Sequence, residues 1–342
     1  MKALFKERKI WVGGLIALLV ILAVGFVLFQ RNSLKFPALS EFQALNSVQQ
    51  NDTIKKLATA DPQATWKFLK SAFIVNGEVE GNAHWLAHLV GNMLYAKYGL
   101  DGITKCDPAF AYGCFHGVTE KLLADQGVAA VQKVQARCLQ IFPPDKSQDS
   151  SSCIHGMGHG LLSWEKYSVP QALKDCDMLD TRYQTYCYDG VFMERAKEVP
   201  QTTLSDKEIW SFCENLNSAY QYNCARYQSN IFFTKYPNDI ARVGSVCRLE
   251  KDSVMRNTCI ETLGYVAAQN SSGALLGILH QCGLIPIPDR YQCEIAATRE
   301  VIFQRYAGFD TTSASLCAQM PAAYQTQCTD ARNQIKTMYN DQ

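Results

Sequence analysis

The chain has no cysteine before Cys106, and among its 14 cysteines there is no Cys-x-x-Cys pair. The second absence excludes thioredoxin-like redox chemistry, c-type haem attachment and the closely spaced ligand pairs of a structural zinc site. An excess of one charge is lacking too. Lys and Arg total 33 against 32 for Asp and Glu, so no basic surface argues for nucleic acid as a partner. No stretch alternates apolar and polar residues with the period of a strand. Histidine is scarce, at six in 342 residues, and its placement is correspondingly informative. A hydrophobic fraction of 47% with 19% charged residues excludes disorder and allows one large domain or two average ones.

One uncharged apolar run is present, Ile10 to Phe29. At about 1.5 Å per residue a helix of that length matches a hydrocarbon core of roughly 30 Å. Lys2, Lys6, Arg8 and Lys9 precede it, while Arg31 and Lys35 follow. The positive-inside rule then expects residues 1–9 in the cytoplasm, 10–29 across the lipid bilayer and the remainder outside, in the periplasm or at the cell surface. A cleaved signal peptide would have a shorter apolar region ending at a small-x-small site. Val24-Gly25-Phe26-Val27-Leu28-Phe29 offers no such site, so the run reads as an uncleaved signal anchor. Residues 30–51 read as a polar stalk and 52–342 as an extracytoplasmic domain.

The cysteines fall into the pairs Cys106/Cys114, Cys138/Cys153, Cys176/Cys187, Cys213/Cys224, Cys247/Cys259, Cys282/Cys293 and Cys317/Cys328. Sequential disulfides are expected, and they would persist in an oxidising compartment. First cysteines recur at intervals of 32, 38, 37, 34, 35 and 35, a period that indicates an array of two-helix units. In each unit a short helix ends at the first Cys and a longer one starts near the second. Asp61-Pro62 opens an unstapled unit before the first pair, with a helix to about Ile74 and another from Asn82 to Tyr98. The expected fold class is therefore all-α, a helical-hairpin array in the form of an open α-solenoid or a closed α/α toroid.

Aligned on the Cys that opens each long helix, the units show a register. Two residues past it stand His116, His155, Asp189, Arg226, Glu261, Ile295 and Asp330; six past it stand Glu120, His159, Met193, Asn230, Tyr265, Arg299 and Gln334. The unstapled unit supplies His84 and His88 at the same offsets, and Glu194 lies one beyond in the fourth. Residues four apart share a helical face about 6 Å from one another, close enough for one metal ion. His84, His88, His116, Glu120, His155 and His159 are thus candidate metal ligands. Glu120, Asp189 and Glu194 are candidates for general-base or ligand-orienting roles. Gly117, Gly156, Gly158, Gly160 and Gly190 sit inside the same helices, where close backbone approach would explain them.

His280 falls outside the register and reads as structural. Trp85 and Trp164 read as hairpin core and turn residues, and the stretch from Pro143 to Ser152 reads as a solvated insertion or a flap. With the cysteines oxidised, imidazole and carboxylate remain as ligands, which suit zinc first and iron, manganese or nickel next. Two functions are expected from this: a membrane-anchored metal-dependent hydrolase, or a scaffold that binds a protein or peptide on its concave face with structural histidines.

Overall fold

The computed structural model of the protein describes residues 35–142, 147–198 and 204–340. The first elements are α1 (Leu39–Gln43), α2 (Ser47–Ala60) and α3 (Pro62–Phe73). A hairpin of β1 (Ile74–Val75) and β2 (Glu78–Val79) leads to α4 (His84–Tyr98). Next come α5 (Gly113–Gln126), α6 (Val131–Ile141), α7 (Ser147–Trp164), α8 (Val169–Cys176) and α9 (Thr181–Glu198). The remainder alternates short and long helices: α10 (Asp206–Glu214), α11 (Ser218–Lys235), α12 (Ile240–Cys247), α13 (Ser253–Asn270), α14 (Leu275–Gly283), α15 (Asp289–Gln304), α16 (Phe309–Gln319) and α17 (Ala322–Asn340). The described protein is all-helical apart from that hairpin.

The boundaries follow local chemistry. The Asp61 side chain accepts from the amides of Gln63 and Ala64, and Pro62 occupies the first turn, where its missing N–H costs nothing. Ser205 and Glu208 exchange the two bonds of a capping box at the start of α10. All seven expected disulfides are present, from Cys106–Cys114 to Cys317–Cys328. The long helices begin earlier than the sequence suggests. In α9, α11 and α13 the second Cys lies in the second turn, so each staple grips the body of a helix and not its tip.

The long helices α4, α5, α7, α9, α11, α13, α15 and α17 pack in that order, each on the next. The short helices α8, α12 and α14 each pack against the long helices on both sides of them. Two glycine pairs explain how closely the long backbones approach near the histidines. A Cβ on Gly117 would stand 2.1 Å from the carbonyl oxygen of His88, and one on Gly91 2.2 Å from that of Cys114. Gly190 faces the His155 carbonyl and Gly158 the Cys187 carbonyl, both at 2.0 Å from the added carbon. Each helical glycine forgoes about 1 kcal/mol of propensity relative to Ala, which the contact of two helix backbones offsets.

All the long helices contribute to the wall of one cavity of about 430 Å³, from His84 on α4 through Asp189 on α9 to Glu300 on α15 and Ile335 on α17. Distant parts of the chain also meet through the backbone. The Val79 N–H donates to the Arg305 carbonyl at 2.8 Å, and the Ala307 N–H donates to the Val79 carbonyl at 3.1 Å. The Gly308 N–H donates to a Glu78 carboxylate oxygen at 3.1 Å. Two-residue strands carry no alternation in sequence, which is why neither the hairpin nor this pairing was expected.

Three further differences from the sequence reading stand out. Within the expected stalk, Leu39–Gln43 and the residues from Ser47 onward are helical, and Phe42 is fully buried with its ring edge-on to Phe68 and Phe73. Ser147 to Ser152, expected to be loop, form the first turns of α7, and Ser150, Ser151 and Ser152 are buried. Trp85 is not core: it is 40% exposed at the cavity wall. Among the described residues no helix is long and apolar enough to cross a membrane, and the expected span Ile10–Phe29 lies outside them.

Candidate metal centre

His84 opens α4, and His88 follows one turn later on the same face. The loop before α5 fixes the first ring. Phe110, Ala111 and Tyr112 are consecutive left-handed residues with φ of 56°, 49° and 65°, a conformation costing about 1–2 kcal/mol per residue. This run aims the Phe110 carbonyl at His84 Nδ1, 2.8 Å away. A carbonyl only accepts, so the His84 proton sits on Nδ1 and its Nε2 lone pair is bare. His88 Nδ1 lies 2.8 Å from Glu120 Oε2, and its Nε2 lies 3.2 Å from that of His84.

That geometry needs one proton more than an ionised Glu120 leaves, or a cation in its place. With Glu120 ionised, His88 donates from Nδ1 and two nitrogen lone pairs face each other at 3.2 Å. With Glu120 neutral, the carboxyl donates to His88 Nδ1 and His88 Nε2–H donates to His84. Burial pushes the Glu120 carboxyl up to about 7, and Glu194 adds to that rise, while Lys197 and Lys121 oppose it. Either a proton held through Glu120 or a cation between the rings thus completes the pair. Two nitrogens each about 2.0–2.1 Å from one tetrahedral ion stand about 3.3 Å apart, close to the separation observed.

His116, on α5, supplies a third ring. Its centroid is 5.4 Å from that of His84 and 5.3 Å from that of His88, and one donor atom from each of the three lies within 4.8 Å of the others. The residue is 6% exposed, and both its nitrogens are buried without a hydrogen-bond partner.

The pattern then repeats on the next two long helices. On α7, His159 Nδ1 lies 2.8 Å from Glu194 Oε2, and its Nε2 lies 3.2 Å from that of His155. His116 is 4.8 Å from His155 and 6.3 Å from His159, centroid to centroid, and His88 is 5.5 Å from His159. Desolvation dominates all five rings and pushes each below the ordinary histidine range, His84 to about 4. They are therefore neutral at neutral pH, the form that binds metals. Burial alone would raise Glu194, but its bonds to His159 and Lys197 outweigh that and hold it below the ordinary range.

The candidate residues thus divide. The five histidines of the register come together, and His280 stands apart, exposed on α14. Glu120 and Glu194 bind the outer nitrogens of His88 and His159, so they orient imidazoles and do not point at the ring nitrogens that face one another. Asp189 touches none of the histidines by hydrogen bond: it is taken up by Arg226 and Asn223, both at 2.8 Å. Asp189 and Arg226 share one offset in adjacent units, a signal that could have paired them in sequence. The Phe110 carbonyl and Lys197, whose ammonium lies 3.8 Å from the Trp85 ring centroid, were missed. A left-handed run of non-glycine residues leaves no mark in sequence.

The chain matches no protein-family model, no curated protein and no solved structure.

Proposed function

We propose that this protein is a membrane-anchored, extracytoplasmic metal protein in which His84, His88 and His116 hold a divalent ion, zinc first and iron or manganese next. The observation that carries this reading is the pair of Nε2 atoms facing at 3.2 Å while both Nδ1 atoms are engaged elsewhere. Three neutral imidazoles on one ion leave a fourth position for water. Zinc so held lowers the pKa of bound water to about 7, and the 430 Å³ cavity beside the rings has the size of a small-molecule site. On that basis the reaction class we favour is metal-assisted hydrolysis, with Glu120 fixing the tautomer of His88 and the Asp189–Arg226 pair forming part of the substrate wall.

Two further readings belong to the same proposal. The array is a closed α/α ring, supported by the bonds from Val79 to Arg305 and Ala307 and by the single cavity that all the long helices line. The anchor is Ile10–Phe29, supported by its uncharged length and the basic residues before it. Seven disulfides fit an oxidising compartment outside the cytoplasm.

Metal analysis of the purified full-length protein tests the site. A bound ion lost in the His84→Ala, His88→Ala variant, together with a hydrolytic activity lost in the same variant and restored by zinc only in the wild type, is the expected result. A folded wild type that takes up neither zinc, iron nor manganese would overturn it. The anchor is tested by alkaline carbonate washing, which should leave the protein in the membrane fraction.

A further inference from the structure

The His84–His88 pair has a twin. His155 and His159 sit one helical turn apart, their Nε2 atoms 3.2 Å from each other, with Glu194 2.8 Å from the Nδ1 of the second ring. Those are the distances found for His84, His88 and Glu120. Between the two pairs lies the His116 ring, close to both. It is the one ring of the five whose nitrogens are both buried and unpartnered. An imidazole with two buried, orphaned nitrogens is costly, since each has given up its bond to water without replacing it. A ligand for each nitrogen removes that cost.

We infer that the centre is dinuclear, with one divalent ion on His84 and His88, a second on His155 and His159, and His116 bridging them as an imidazolate. This rests on the metal reading of the first triad and adds to it a second ion and a bridge. The balance is simple. His116 gives up its N–H proton to solvent as its two nitrogens each form a bond to a metal, and no electron changes hands. The positive charge of two ions in a buried site stabilises the imidazolate, much as a coordinating thiol is deprotonated by its metal. Glu120 and Glu194 then play matching parts, each holding the outer nitrogen of one terminal ligand so that its Nε2 faces the metal. Lys197 pairs with Glu194 and makes no bond to a ring nitrogen among the described residues.

The test loads the chelator-treated full chain with Cu(II), which imidazole sites bind well and which reports its own surroundings. The wild type should take up two ions per chain, and its electron paramagnetic signal at two equivalents should be largely silent because the bridged spins couple. The His155→Ala, His159→Ala variant should take up one ion and show the full signal of an isolated Cu(II). His116→Ala should abolish the coupling whatever it retains of the metal. Circular dichroism and disulfide mapping confirm the fold of each variant. If His116→Ala does not fold, the paired His155 and His159 substitutions decide the second ion and the wild-type signal at two equivalents decides the bridge. A wild type that binds one ion, unaffected by loss of His155 and His159 but lost with His84 and His88, would overturn the second site and leave the first standing. Two ions with an undiminished signal, or coupling that survives in His116→Ala, would overturn the bridge. No bound ion at all would remove both readings.

Discussion

A methyl group on Gly117 would lie 2.1 Å from the carbonyl oxygen of His88, so the backbones of α4 and α5 are in direct contact at the histidine cluster. In an ordinary helix Gly→Ala gains about 1 kcal/mol. Here the sign reverses, because the obstacle is a backbone atom that cannot rotate away. Gly117→Ala should destabilise the fold by roughly 1–3 kcal/mol and spread His88 from His116. Chemical unfolding measures the first effect and competition with a metallochromic chelator the second. A variant more stable than the wild type, with unchanged affinity, would show that the two helices separate freely.

Glu120 and Glu194 occupy equivalent places on different rings, so they should be separable. Glu120→Ala should weaken zinc binding at the proposed His84 and His88 site about 10–100-fold, while Glu194→Ala should leave it nearly untouched. Isothermal titration of each variant with zinc reads the difference. Equal losses in both would mean that the carboxylates act through the fold and not through their own imidazoles.

Glu300 is buried on α15, and desolvation raises its carboxyl above the ordinary range despite the two amides, from Gln269 and Gln304, that donate to it at 2.8 Å. Between the unfolded and the higher folded value, the folded state holds a proton that the unfolded chain has released. Stability from this group is complete below the unfolded value near 4.5 and is lost as pH rises through the higher folded value. Glu300→Gln keeps the acceptor oxygen and cannot ionise. Against the wild type it should gain stability as pH rises above the unfolded value, by at most about 1.4 kcal/mol per pH unit, and level off once the folded value is passed. Denaturant midpoints across that range check the sign, and parallel curves would refute it.

The Cys213–Cys224 staple joins α10 to α11, neither of which carries a histidine, and spans 11 residues. Replacing both cysteines with alanine should cost about 2–3 kcal/mol, chiefly by freeing the unfolded chain. Metal content should not change. A loss of metal without a matching loss of stability would tie that unit to the site.

Sequence carried much of this, and physical reasons explain what it did not carry. Cysteines cannot move out of phase without breaking geometry, so their spacing exposed the units and every disulfide. The histidines were legible because one offset repeated on neighbouring helices must place side chains side by side. The division of labour was hidden: Glu120 and His116 share a helix and differ in role only through what packs against α5. Phe36 and Phe42 are two aromatic residues in a polar stretch, and only their contacts with Phe68 and Phe73 show that they pack against helical structure. The hairpin at Ile74–Val79 was too short for any periodic signal.

The bond from Gly308 to Glu78 spans 230 residues of chain and, with the Val79 bonds beside it, ties the β1–β2 hairpin to the segment after α15. An open stack of hairpins lengthens or shortens by whole units at little cost, because each unit needs only its neighbours. In the closed ring proposed above, a duplicated or deleted hairpin would leave Val79 without Arg305 and Ala307, so the number of units would be set by geometry at the seam. Families of such chains should therefore vary in their loops and keep their tally of staples, and folding should finish late, when the seam closes over a long and slowly formed contact.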